Sequence, residues 1–304
     1  MTQRPFRFGV VAARAVSGEA WTAHARRIED LGYSTLLVPD RLGRVLSPLA
    51  ALAVAAASTR TLRLGTFVLA NGVRNPSYLA WECATLDFLS NGRFEPGLGT
   101  GVSEADFRQA GIPFERPGAR IDQLAETIRV VKAYFAGQGE HSDGASEPMP
   151  AVPRFPLPVQ SPRPPLLIAA AGPRLLALAA READIVAFGV GADATEADLA
   201  EKIALVRETA GDRFATLELS LNLLAVVGDQ IPPGVRERVR AIHRVDLDSL
   251  LQAPVRSPLV VTGTAEAMCA QLLERRERLG VSYVTIPDDQ MEAFAPVVAR
   301  LAGT

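Results

Sequence analysis

The sequence is poor in the residues that most often carry catalysis or hold metals: it has three histidines and two cysteines in 304 residues. His24 falls on a helix-like stretch, His141 in an insertion and His243 in a charged late segment, and no H-E-x-x-H or carboxylate–histidine spacing exists. A histidine-based triad and a metal cluster are therefore not expected. Cys83 and Cys269 lack any C-x-x-C or Cys/His spacing and lie in apolar helix-like segments, which reads as buried free thiols in a reducing compartment. The net charge of −2 leaves no basic excess to displace counterions from nucleic acid. The longest early apolar stretch, 45–59, is interrupted by Pro48 and too short to span a bilayer. The N-terminus has no apolar core of a signal peptide, so a cytoplasmic location is expected. No G-x-G-x-x-G follows the first strand candidate, which weakens a dinucleotide-binding reading.

The chain has an ordinary globular composition, 48% hydrophobic and 22% charged. A chain of this length buries roughly three quarters of its unfolded surface, so its core needs no metal or disulfide staples. Lys132 and Lys202 are the only lysines, leaving 30 of the 32 basic residues as arginine, a bias usual in high-GC genomes.

Apolar patterning alternates between the strand and helix periods along the whole chain. Strands are expected at Phe6 to Ala12, Ser34 to Val38, Leu62 to Leu69, Arg93 to Leu98, Leu166 to Ala169, Asp184 to Ala187, Leu217 to Val227 and Tyr283 to Pro287. Helices are expected at Gly18 to Leu31, Pro48 to Ala57, Pro76 to Leu89, Gly118 to Phe135, Arg174 to Arg181, Glu196 to Thr209, Ala265 to Leu279 and Met291 to Ala302. Pro48 and Pro76 suit first helical turns. Eight prolines in the 18 positions from 148 to 165 forbid a helix or central strand there. Eight strands alternating with helices predict one α/β domain, 1–304, built as a (β/α)8 TIM-type barrel. Insertions at about 137–163 and 229–257 follow strands 4 and 7, and the proline-rich one is expected over the strand-end face. A doubly wound open sheet is the alternative.

A barrel places its active site at the C-terminal ends of the strands. Those ends read Val38-Pro39-Asp40-Arg41, Phe67-Val68-Leu69-Ala70-Asn71, Gly99-Thr100-Gly101 and Ala170-Ala171-Gly172-Pro173-Arg174. The last is a small-residue turn running into a helix, an arrangement suited to an anion. It equally suits a tight turn with an exposed arginine. Arg41 must face water, pair with a carboxylate such as Asp40, or meet an anionic group.

Arg63-Leu64-Gly65-Thr66, Arg74-Asn75-Pro76, the run from Ala84 to Arg93 and Gly97-Leu98-Gly99-Thr100-Gly101 together resemble the luciferase-like monooxygenase superfamily. So does the late region from Gly263-Thr264 to Gly280-Val281-Ser282-Tyr283. The sequence looks most like the actinobacterial branch that uses the deazaflavin coenzyme F420. The resemblance implies that Asp40 faces the cofactor ring and that Phe67–Val68 is a non-proline cis peptide buttressing it. It also implies that Asn71, Thr100 and Gly101 border the cofactor, and that Ala170, Ala171, Gly172 and Arg174 hold its phosphate.

Where many F420-dependent members carry histidine after the strand-2 aspartate this chain has Arg41, and where some carry glutamate after G-T-G it has Val102. Arg41 and Asp40 are the catalytic candidates, Arg41 through charge stabilisation, because an arginine cannot serve as an ordinary general acid. The resemblance implies an F420-dependent oxidoreductase moving a hydride to or from a small-molecule substrate. The alternatives are an FMN-dependent monooxygenase and a catalytically altered, cofactor-binding barrel. No metal, nucleic acid or membrane partner is expected; a homodimer is.

Overall fold

The computed structural model describes residues 4–137, 155–228 and 230–304. The first half contains β1 (Arg7–Val11), α1 (Gly18–Asp30), β2 (Thr35–Val38), α2 (Pro48–Ser58), β3 (Arg63–Thr66), β4 (Leu69–Ala70) and α3 (Pro76–Leu89). It continues through β5 (Phe94–Glu95), β6 (Gly97–Gly99), α4 (Glu104–Gln109) and α5 (Pro117–Phe135). The second half contains β7 (Leu167–Ala170), α6 (Pro173–Glu182), β8 (Ile185–Phe188), α7 (Glu196–Ala210), β9 (Glu218–Asn222), β10 (Ala225–Val227), α8 (Val235–His243) and α9 (Leu247–Gln252). It closes with β11 (Val260–Thr262), α10 (Ala265–Leu279), β12 (Val281–Pro287) and α11 (Met291–Leu301). No helix among the described residues is long and apolar enough to cross a membrane.

Ten strands form one parallel sheet in the order β4-β6-β7-β8-β9-β12-β1-β2-β3-β5. β4 resumes two residues after β3, and β6 one residue after β5, so the two ends of that order come together and the sheet curls on itself. Helices cover its outer face. β7 and β8 consequently read as continuous apolar runs, as expected where both faces are buried. Inside the curl, Leu37, Leu167, Ile185, Ala187 and Tyr283 pack together, with Val11, Phe67, Val68 and Ala169 against them.

Three expected strands are interrupted. The third breaks at the cis Phe67–Val68 peptide. The fourth breaks at Pro96, which has no N–H for the ladder but accepts Leu167 N–H at 2.9 Å. The seventh changes partners: β9 pairs with β8 and β12, whereas β10 leaves the sheet to pair with β11. Leu223 N–H donates to Thr285 O and Leu224 N–H to Leu259 O, so the exchange falls between adjacent residues of one apolar run.

The described part of the proline-rich insertion, from residue 155, is not over the strand-end face where the insertion was expected. It docks at the N-terminal end of the strands, where Val159 N–H and the Gln160 side chain bond Asp87, and Gln160 also bonds Phe94 O and Arg63. The reason is topological: the insertion joins the end of α5 to the start of β7, and both lie at that end of the sheet. Residues 138–154, the rest of it, lie outside the described residues.

The N-terminal end of the sheet is closed by charge. Arg7 donates to Glu95 at 2.7 Å and to Glu218 at 2.9 and 2.7 Å, while Arg63 also donates to Glu95. The Arg7 guanidinium lies 4.3 Å from the centre of the Tyr283 ring. Burial alone would push the Glu95 carboxyl up, but Arg7 and Arg63 outweigh it and hold the group below the ordinary carboxylate range.

Candidate active site

The opposite, C-terminal end gathers Asp40, Phe67, Val68, Asn71, Thr100 and Gly101 on the neighbouring ends of β2, β4 and β6. Glycines make this approach feasible. A Cβ on Gly97 would lie 2.0 Å from Thr66 O, and one on Gly99 would lie 2.7 Å from Val68 Cγ2. The alternating glycines thus let β6 pass against the chain around the cis peptide.

Asp40 is held firmly. Its Oδ2 accepts Ala70 N–H at 3.0 Å, and its two oxygens take the Arg74 guanidinium, Nη2 at 3.0 Å from Oδ1. Arg41 does not pair with Asp40. It reaches instead to α4, where Nε lies 2.6 Å from Oδ2 of the buried Asp106. This leaves both terminal nitrogens of Arg41 without an acceptor among the described residues. Asp106 is itself set by Ser103, whose hydroxyl caps α4 by accepting Asp106 N–H.

Asn71 is buried, with its amide oriented to donate to Gly99 O at 2.9 Å and accept from Leu124 N–H at 3.2 Å. Both ends of that side chain are engaged within the fold. Gly101 adopts φ +75°, and a Cβ there would meet Phe107 at 2.6 Å. The carbonyls of Thr100 and Gly101 both face Arg120. The Arg120 guanidinium lies 4.0 Å from the centre of the Phe114 ring, which in turn packs edge-on against Phe107.

Ala170 to Arg174 sit next along the sheet, because β6 pairs with β7. Gly172 is the extended N-cap of α6 with Pro173 following, and no side chain caps the helix. The N–H groups of Arg174 and Leu175 have no acceptor among the described residues. Lys202 Nζ bonds Ala171 O at 2.5 Å. The Arg174 side chain turns to Asp122 at 2.6 Å and is 60% exposed.

The sequence assigned no role to Arg74, Lys202, Phe107 or Phe114. Arg74 stood within a quoted motif, but its pairing with Asp40 depends on the fold. No local signal marks Arg120 as the residue that grips the G-T-G carbonyls. Among the described residues no group of three His, Cys, Asp or Glu side chains could hold a metal.

A family model described as luciferase-like monooxygenase matches residues 6–297. An uncharacterized protein of Mycobacterium tuberculosis is 31% identical over 188 residues, 54% of this chain and 65% of that protein. A phthiodiolone/phenolphthiodiolone dimycocerosates ketoreductase of Mycobacterium sp. is 34% identical over 189 residues, 59% of this chain and 46% of the relative. The matches therefore span less than two thirds of either relative's length. Among solved structures, the coenzyme F420 dependent tetrahydromethanopterin reductase of Methanopyrus kandleri superposes with a TM-score of 0.76 at 18% identity, covering 98% of each chain. A monooxygenase from Streptomyces bottropensis gives 0.73 at 21% identity, covering 97% of each. A riboflavin lyase solved with modified FMN and riboflavin gives 0.74 at 17%, covering 98% of this chain and 93% of its own.

Proposed function

The chain belongs to the luciferase-like monooxygenase family, and from that membership we propose that it is an F420-dependent oxidoreductase acting on a small organic substrate in the cytoplasm. We read the curled sheet as a (β/α)8 barrel in which β3 with β4, and β5 with β6, each count as one strand. The pairing of β1 with β12 supports one domain over 1–304.

The observation that carries the reading is the pairing of an apolar floor with an anion-receptive edge. Val11, Phe67, Val68 and Ala169 offer a floor suited to a flat ring. Beside it, the ends of β6 and β7 carry free N–H groups and the cations Arg120 and Lys202. Such a surface fits a ring with a phosphate tail. Phe67 and Val68 would border the ring, Asn71, Thr100 and Gly101 would border the cofactor beside it, and Ala170, Ala171 and Gly172 would lie at the phosphate. Asp40, fixed by Arg74, would shape the ring edge. When bound, a deazaflavin supplies hydride transfer at its C5. Arg41, anchored through Nε by Asp106, keeps two donors with which to orient a substrate oxygen and stabilise charge developing on it.

The F420-dependent reductase among the structural neighbours supports this cofactor. FMN is the second reading, favoured by the similar superposition on the Streptomyces monooxygenase and the FMN-containing lyase. Substrate-dependent oxidation of reduced cofactor under strict anaerobiosis separates the two. Turnover of reduced F420 without oxygen supports the proposal, whereas turnover of reduced FMN that requires oxygen rejects it.

A second copy of the chain is the proposed partner. The segment Pro48–Ser58 carries no charged residue, and Val54, Tyr78, Trp81, Phe88 and Leu89 are exposed on α2 and α3. Phe155 packs on Phe88 and extends the face. At roughly 150–250 Å² per aromatic ring, the four exposed rings alone leave on the order of 500 Å² in water, a sizeable fraction of the ~800 Å² each partner contributes to a standard interface. Sedimentation should give a dimer mass that Trp81→Glu halves; a wild-type monomer at micromolar concentration rejects it.

A further inference from the structure

Arg120 is a charged group without an opposite charge. Its guanidinium is partly buried and pushed below the usual arginine range by that burial, and no carboxylate among the described residues pairs with it. Its Nε is buried without a partner. Its visible bonds are to two backbone carbonyls, Gly101 O and, at 3.5 Å, Thr100 O. Removing an unpaired cation from water is costly unless an anion is at hand. Three other rim arginines are answered within the protein, Arg41 by Asp106, Arg74 by Asp40 and Arg174 by Asp122, whereas Arg14 and Arg44 stay exposed to water.

The peptide geometry gives this cation a second consequence. The Thr100–Gly101 and Gly101–Val102 peptides are not among the cis bonds, and in a trans peptide the N–H points opposite to the C=O. Because both carbonyls converge on one Arg120 nitrogen, the N–H groups of Gly101 and Val102 both point away from it. Neither has an acceptor among the described residues. The left-handed Gly101, φ +75°, creates the concave turn in which successive N–H groups converge on an anion. Phe107 and Phe114 hold the arrangement from behind, Phe107 against Gly101 and Phe114 against the guanidinium.

We propose that Arg120 is a positioning residue: by tying down the carbonyls of Thr100 and Gly101 it presents the N–H groups of Gly101 and Val102 to a phosphate-type oxyanion, whose charge it also balances. The inference rests on the cofactor reading above. It moves the decisive cation from Arg174, which Asp122 already neutralises, to a residue that never touches the ligand.

The test compares phosphorylated and phosphate-free forms of one ring system. F420 and the phosphate-free deazaflavin riboside, then FMN and riboflavin, are titrated into wild type, Arg120→Gln, Arg120→Lys and Arg116→Gln, with binding read by fluorescence. Arg120→Gln should lose about tenfold or more in affinity for the phosphorylated form and less than twofold for the phosphate-free form. Arg120→Lys should recover part of the loss, and Arg116→Gln should leave the ratio unchanged. Equal loss for both forms means a merely structural role and overturns the inference, as does unchanged affinity for both. An equal effect of Arg116→Gln assigns the loss to long-range charge and overturns it too. Should wild type bind neither cofactor, the cofactor reading fails by itself. The inference is then judged with inorganic pyrophosphate, and equal affinity for wild type and Arg120→Gln rejects it.

Discussion

The two ends of the sheet handle charge in opposite ways. At the N-terminal end Arg7, Arg63, Glu95 and Glu218 answer one another, and the insertion adds Gln160 to seal the set. At the C-terminal end Arg120 has no acid, Arg41 keeps two free donors, and the N–H groups of Gly101, Val102, Arg174 and Leu175 have no acceptor among the described residues. Charge closed on itself serves stability. Charge left open implies that its partner comes from outside the chain.

The contrast can be broken first at the closed end. Glu95→Ala leaves two arginines without their shared carboxylate and should cost about 3–5 kcal/mol, read by urea denaturation, with cofactor affinity of the folded fraction preserved. A comparable loss of affinity would mean that the two ends are not separable. Because Glu95 has its pKa depressed in the folded state, its contribution is complete above the unfolded value near ~4.3 and fades as pH falls through the lower folded value. Melting temperature should therefore drop on acidification in that window, and less steeply in Glu95→Gln. Parallel curves for the two proteins would remove Glu95 from the acid response.

Gly97→Ala sharpens the comparison from the middle of the strand. Its Cβ would meet a backbone oxygen at 2.0 Å, so displacement of β6 should cost about 3 kcal/mol or more, measured by thermal melting; a loss below 1 kcal/mol would refute that close approach. The smallest effect belongs to Arg174→Ala. The sequence alone suggests a charged hydrogen bond to phosphate, about 1.5–3 kcal/mol. The exposed pair with Asp122 reduces the expectation to about 1 kcal/mol or less in cofactor affinity. A tenfold loss would return Arg174 to the phosphate.

Much of this arrangement was legible in the sequence. The strand and helix order followed from apolar periodicity, and the cis Phe67–Val68 peptide from the family resemblance. Pro96 was a visible breaker inside an expected strand. The exchange between β9 and β10 was not visible, because Leu223 and Leu224, where it falls, lie in the short apolar run 223–227, which carries no mark of which neighbour it pairs with. The position of the proline-rich insertion could have been deduced, since a connection from helix to strand must return to the N-terminal end. The site was less accessible because its pairings are long-range. Arg41 and Asp106 are 65 positions apart, and nothing local distinguishes a carboxylate that will meet Arg41 from Asp40, which Arg74 takes.

The central claim, that the open end receives a phosphorylated deazaflavin, is tested most directly by titrating one preparation of wild-type protein with F420 and with FMN in parallel. The account predicts saturable F420 binding at least tenfold tighter than FMN. Tighter binding of FMN, or binding of neither, would contradict it.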